Sequence, residues 1–264
     1  MMRIGVLATW MFSFNGQRMN RFETVVVSDV HLGARNSRTT EFLQFLDRVE
    51  ADRLIIAGDL FDSPRVDRLR PGDLLVLRML RRISRQTELV WLRGNHDPDG
   101  EFAHAVLGLE QREEMTLAVG NRRYLVVHGD RWDRSLELPR LVIGSADAIY
   151  RGCQWLDPTH QLARSLKRRS KRFCQVVEAL RCAALREARQ RRFDGVILGH
   201  THVANDHSEY QLHFLNSGCW TERPTSYVGI RGDRARQYFW DAALVGQQLP
   251  AGLDPETAAL ATVN

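Results

Sequence analysis

The sequence predicts an α/β fold, a four-layer αββα sandwich that carries a helical cap insertion. Three observations predict it. Strand-like and helix-like runs alternate through the first half of the chain, and strand-like runs alone close it. Clusters of Asp, Asn, His and Gly fall at the ends of apolar runs, where ligand crevices of open α/β sheets lie. A chain of 264 residues is also long enough to bury a sizeable core.

The elements follow in order. Residues 1–21 hold a short apolar stretch, 4–14, broken by Thr9 and Ser13 and followed by no small-x-small cleavage site. They are read as a flexible N-terminal extension of a cytoplasmic protein, with Met19 an alternative start. Residues 24–29 form a β-branched run that reads as a buried strand. Phe42, Phe45, Leu46 and Val49 give 39–50 a helical period, and 53–57 is the next strand. Pro71 opens a helix to residue 85, and 88–92 is a third strand. Residues 115–119 and 123–127 pair across a Gly120-Asn121 turn. Residues 195–198, 210–215, 226–230 and 236–240 complete the strands, and 242–264 reads as a tail. The core domain therefore spans 22–130 and 193–241, with the cap at 131–192.

Charge is unevenly distributed. Between Gln161 and Arg192 eleven Lys and Arg face only Glu178 and Glu187, so a chain of net charge +5 is a mildly acidic body with one basic element. That element has a helical apolar period (Leu162, Leu166, Phe173, Val177, Leu180, Ala184) and points to an anionic partner. No apolar run reaches spanning length, which excludes a transmembrane helix. Cys153, Cys174, Cys182 and Cys219 include no C-x-x-C pair, so neither a disulfide framework nor a cysteine zinc site is expected.

The chemistry sits in the clusters. Asp29 to Asp59 spans 30 residues, Asp59 to Asn95 spans 36, Asn95 to His128 spans 33, and His128 to His200 spans 72. Each short gap fits one strand–connection–strand unit, and the long one contains the insertion. In an extended run Asp29 and His31 would point the same way, as would His200 and His202. Carboxylate, imidazole and amide ligands without thiolate suit Mn, Fe, Co, Zn or Ni. Asp29, His31, Asp59, Asn95, His128, His200 and His202 are too many for one tetrahedral ion and suit two ions sharing a carboxylate. A lone Asp at a strand end is usually a cap, but the paired context favours metal. His104, His160, His207 and His213 lack such a context and read as surface or packing residues, and Trp220 with the Asn216-Ser217-Gly218 loop as a candidate rim.

Asp29-Val-His31, Gly58-Asp-Leu-Phe-Asp62, Gly94-Asn-His-Asp97, His128-Gly-Asp130 and Gly199-His-Thr-His202 occur in this order. Together they resemble the five-block signature of calcineurin-like metallophosphoesterases. The resemblance implies two divalent ions, Mn²⁺ foremost, with Asp29, His31, Asp59 and His202 on one and Asp59, Asn95, His128 and His200 on the other. It further implies that His96 faces the substrate phosphate as a catalytic residue, that Asp97 orients His96, and that Asp62 lends support. Hydrolysis would proceed by attack of a metal-bridging hydroxide on phosphorus.

The string Ser28-Asp-Val-His-Leu-Gly33 and the helical insertion are similar to the UDP-2,3-diacylglucosamine pyrophosphatases of lipid A synthesis. This finer resemblance implies a lipid-linked nucleotide cleaved to UMP and an acyl-sugar 1-phosphate, with peripheral contact at the inner membrane. Lys167, Arg168, Arg169, Lys171 and Arg172 would then meet the substrate or the membrane. A nuclease or nucleotide phosphodiesterase, its basic helix tracking a phosphate backbone, is the alternative. With Phe173 the only aromatic in the basic stretch, single-strand stacking is disfavoured. A non-catalytic binding module is disfavoured by the complete ligand set.

Overall fold

A computed structural model describes residues 21–135 and 171–240. The expected N-terminal extension, the tail at 242–264, and Lys167, Arg168 and Arg169 lie outside the described residues.

Six strands form the first sheet: β1 (Phe22–Val27), β2 (Ala51–Ala57), β3 (Glu88–Leu92), β4 (Gln111–Arg112), β10 (Thr225–Arg231) and β11 (Arg234–Trp240), in the order β11-β10-β1-β2-β3-β4. The second sheet runs β5-β6-β7-β9-β8, from β5 (Glu114–Val119), β6 (Arg122–Val127), β7 (Gly195–Leu198), β8 (Asn205–Glu209) and β9 (Leu212–Asn216). In the first sheet β1, β2, β3 and β4 are parallel and β10 and β11 antiparallel. Helices α1 (Thr39–Arg48), α2 (Pro71–Ile83) and α3 (Gly100–Leu107) cover the first sheet, and α4 (Lys171–Gln190) covers the second.

The strand period of two sorts side chains into layers. Leu54 and Ile56 of β2 face the helices while Ile55 and Ala57 face the other sheet, and Trp91 and Val90 divide likewise on β3. In the second sheet Tyr124, Val126 and Ile197 face inward, and Leu125, Val127, Val196 and Leu198 face α4. Three apolar seams therefore join four layers, the αββα sandwich the sequence predicts.

The helices follow their apolar stripes. Phe42, Phe45 and Leu46 bury one side of α1, and Val76, Leu77 and Leu80 one side of α2. Asp73 couples the two. Its buried carboxylate accepts from Thr39 Oγ1 (2.7 Å), Arg70 N (2.9 Å) and Gly33 N (3.2 Å), closing the first turn of α2 and tying it to the loop after β1.

Three elements were not anticipated: α3, β4 and β8. Asp99 caps α3 by accepting from Phe102 N (3.0 Å), and Gly108 ends it in the left-handed region, φ 72°. β4 and β8 are polar and become strands only by pairing with β3 and β9. The basic stretch is helical as expected from Lys171 onward, but its last turns are not cap. Leu180, Ala184 and Ala188 are buried on the second sheet against Trp132, Phe193 and Phe214, so the boundary drawn at 192 falls at the end of a core helix. The acidic body also carries a second basic element, since residues 65–85, around α2, hold seven Arg against Asp67 and Asp73.

Candidate metal centre

The loops that follow β1, β2, β3, β6 and β7 meet at one edge of the sandwich and bring all seven predicted ligands there. The loops after β1 and β2 run side by side. Asp29 N donates to Gly58 O (3.1 Å), His31 N to Asp59 O (3.0 Å) and Leu32 N to Leu60 O (2.8 Å). The loop after β7 closes on the first, because His200 N donates to Asp29 Oδ2 (2.9 Å). Asn216 Nδ2 holds that loop through Gly199 O (2.7 Å).

Asp29 and His31 do not lie in an extended run, which corrects the expectation. Asp29, His31, Asp59, His200 and His202 all have left-handed backbone, with φ of 54°, 50°, 52°, 66° and 60°. Among the described residues only three other non-glycines share that region. A left-handed residue with a Cβ costs roughly 1–2 kcal/mol, so the centre concentrates local backbone strain. The turns aim the side chains at one point, which alternate extended residues on twisting strands would not do. Two motif glycines serve close approach instead: a Cβ on Gly94 would strike the Asp59 carboxylate, and one on Gly199 would strike Ser28 and Asp29.

Asp29, Asp59 and His128 are buried, and His31 nearly so. His202 Nε2 lies 3.1 Å from Asp29 Oδ1, and His31 Nε2 lies 3.8 Å from Asp29 Oδ1 and 3.6 Å from Asp59 Oδ2. His128 Nε2 lies 3.3 Å from Asp59 Oδ2 and 3.2 Å from Asn95 Oδ1. One ligand atom each from Asp29, His31 and His202 lie within 4.8 Å of one another, as do those of Asp59, His128 and His200. The remaining ring nitrogens have partners that orient the imidazoles: His128 Nδ1 with Ala57 O (2.9 Å), His202 Nδ1 with Thr221 Oγ1 (3.2 Å) and His200 Nε2 with Asp133 Oδ2 (2.7 Å).

The electrostatics describe buried carboxylates balanced by neighbouring imidazoles. Burial opposes charge on Asp29 and Asp59, yet neighbouring imidazoles, His202 foremost for Asp29 and His128 for Asp59, hold Asp29 well below the carboxylate range and Asp59 at about 2. Burial also opposes charge on the histidines, but Asp29 and Asp62 raise His31 to about 9, and Asp59 raises His128 to about 10. Protons on imidazole thus supply positive charge that a cation can replace.

Asp97 has a different task from the one expected. Its carboxylate accepts from Asp59 N (2.9 Å), Phe61 N (3.0 Å), Gly94 N (2.9 Å) and Trp91 Nε1 (3.2 Å). Burial, and then the nearby Asp59 charge, raise its pKa to about 6. It braces the backbone of the two loops, and Asp62, not Asp97, orients the His96 ring: His96 Nδ1 bonds Asp62 O (2.8 Å). Asp62 Oδ1 also stands 3.6 Å from His31 Nδ1. Sequence reasoning missed Asp133 and Thr221 as partners, since neither sits in a metal-binding pattern, and it read Asn216 as a rim residue where the structure has it holding the loop after β7. Trp220 is no rim residue; it is fully buried against Phe42 and Phe45. Lys171 and Arg172 open α4, outside this cluster of ligands.

No curated protein matches the chain. Similar solved structures include a Vps29 single mutant from Entamoeba histolytica (16% identity, 83% of this chain and 99% of that one, TM-score 0.44). The phosphoesterase Yfce from E. coli is another (18%, 78% and 86%, TM-score 0.44), and an archaeal phosphodiesterase a third (10%, 82% and 99%, TM-score 0.42). The family model for calcineurin-like phosphoesterase matches residues 22–204. With more than half of its length matched and the five motif blocks meeting at one edge of the sandwich, the chain belongs to the calcineurin-like phosphoesterase family of metal-dependent phosphoester hydrolases.

Proposed function

We propose that the protein is a dinuclear-metal phosphoesterase acting on the diphosphate of a lipid-linked nucleotide of the UDP-2,3-diacylglucosamine type, at the cytoplasmic face of a membrane. The convergence of Asp29, His31, Asp59, His200 and His202 on left-handed backbone, with His128 beside them, carries the metal reading. The residues fit such a pair of ions. Asp29 Oδ1 is fully buried and makes no hydrogen bond of normal geometry, which leaves an oxygen in want of a cation. Asp29, His31, Asp59 and His202 would hold one ion, and Asp59, Asn95, His128 and His200 the other, with Mn²⁺ preferred. Such ions supply Lewis acidity and a lowered pKa for an attacking water.

The chain's own residues do the remainder. A backbone carbonyl only accepts, so His96 Nδ1 donates to Asp62 O and leaves Nε2 to exchange a proton with the phosphoryl oxygens or the leaving group. Asp97 keeps the loops that carry Asp59 and His96 in register. Replacing His96 by Ala is expected to lower turnover by roughly a hundredfold or more with metal retained. Unchanged turnover would remove His96 from the reaction.

The Ser28 to Gly33 string and the insertion before His200 support the lipid-linked substrate. Turnover with Mn²⁺ on the acylated sugar nucleotide, its unacylated form and single-stranded DNA tests it. Preference for the acylated compound is expected, and activity on DNA alone would overturn the substrate in favour of a nuclease.

A further inference from the structure

Among the described residues only Leu74, Leu75 and Tyr210 are exposed large hydrophobics, and the two leucines are neighbours on α2, 45% and 50% exposed. At about 100° per residue, Leu74, Leu75, Arg78, Arg81 and Arg82 occupy one arc of the helix, and all five are exposed. Arg85 extends the row in the turn after the helix. Asp73, Val76, Leu77 and Leu80 point the other way into the core. No acidic side chain shares the outer arc. Arg81 donates to Val106 O (3.1 Å), while Arg78, Arg82 and Arg85 have no acidic partner among the described residues.

The N-terminal end of α2 lies near the metal centre. Arg68, in the 3-10 turn before α2, stands 3.8 Å from the Asp62 carboxylate. Asp73 ties the first turn of α2 to Gly33, two residues beyond His31.

We infer that this outer face of α2 docks the protein on an anionic lipid bilayer, with Leu74 and Leu75 entering the headgroup boundary and the arginines meeting lipid phosphates. Interleaved leucine and arginine on one helix face match that boundary, apolar below and negative above. A nucleic acid would engage the arginines but leave both leucines facing water, and the face offers no aromatic ring for base stacking. A second copy packed symmetrically here would oppose arginine to arginine. The inference extends the lipid-linked substrate proposed above, yet it rests on surface chemistry alone, so either can fail without the other.

The test is sedimentation of the full-length, Mn²⁺-loaded protein with vesicles of phosphatidylcholine alone or of equal parts phosphatidylcholine and phosphatidylglycerol. Binding is expected only to the anionic vesicles and is weakened by salt. The combined Arg78→Glu, Arg82→Glu and Arg85→Glu variant should bind about a hundredfold less tightly. The Leu74→Gln and Leu75→Gln pair should lose about tenfold even at low salt. Both variants should keep wild-type turnover of a soluble phosphodiester, which separates lost docking from lost folding. Absence of binding by the wild type, or binding unchanged in both variants, overturns the inference. So does displacement from vesicles by an oligonucleotide, or a dimer in sedimentation equilibrium that the leucine variant abolishes.

Discussion

The two sheets support one cluster by different means. The first delivers both carboxylates, Asp29 and Asp59, and is backed by an aromatic seam in which Phe42 and Phe45 each lie 4.8 Å from Trp220, ring to ring. That seam touches the centre directly, because Trp220 N donates to Asp29 O (3.0 Å). The second sheet delivers only imidazoles, His128, His200 and His202. It is backed by the small side chains of α4, Ala184 and Ala188, and braced outside by Arg131 and Arg191 around Glu114 and Glu187. Buried carboxylates are the costlier groups to fold around. They sit before the larger, aromatic-rich apolar seam, and the imidazoles sit before the smaller one with its polar brace.

The strongest test of this division is Asp59→Asn, where the halves meet: Asp59 Oδ2 is near His31 of one side and His128 of the other. Loss of bound metal and a fall in turnover of about a thousandfold or more are expected, read by metal analysis and steady-state assay. Two ions per chain in that variant would refute the bridging role. Trp220→Ala should cost about 3–5 kcal/mol, measured by urea denaturation of the metal-free protein. Ala184→Leu probes the other support by overpacking it, and about 1–3 kcal/mol is expected. A larger cost there than at Trp220 would invert the comparison.

Glu114→Gln is the mildest change. Hydrogen bonds from Arg191 and then Arg131 draw Glu114 down to about 2, but the group is partly exposed and its pairs contribute below about 1 kcal/mol. A depressed carboxylate stabilises the fold above its unfolded pKa, near 4.5, and that contribution fades as pH falls towards about 2. The stability gap between wild type and Glu114→Gln should close over the same interval.

Much of this was legible in the sequence. β3 and β7 were predicted to the residue, because short apolar runs ending in Gly or Arg-Gly leave little choice of bounds. β8, Asn-Asp-His-Ser-Glu, has no strand pattern and forms at an edge because β9 offers it hydrogen bonds. The residues that gather at the metal-centre edge of the sandwich were readable because each sits in a short motif. The left-handed backbone that aims them was not, since no side-chain pattern marks it outside glycine. Nor was the role of Asp97, whose four donors come from two separate segments, 59–61 and 91–94. The regular spacing also misled at one point: the gap from Asn95 to His128 crosses from one sheet to the other, through α3, β4 and β5, instead of stepping to a neighbouring strand.

The place of β1 has a consequence for how the chain is made. It is the earliest strand among the described residues, yet it lies between β2 and β10. On the ribosome its first edge is satisfied early by β2, while the other waits until residues 225–231 emerge. Throughout that interval Val25 and Val26 present an open, apolar edge of the kind that recruits other chains. His200 and His202 emerge after the other candidate ligands, so the cluster can assemble only once the loop after β7 is made, ahead of β10.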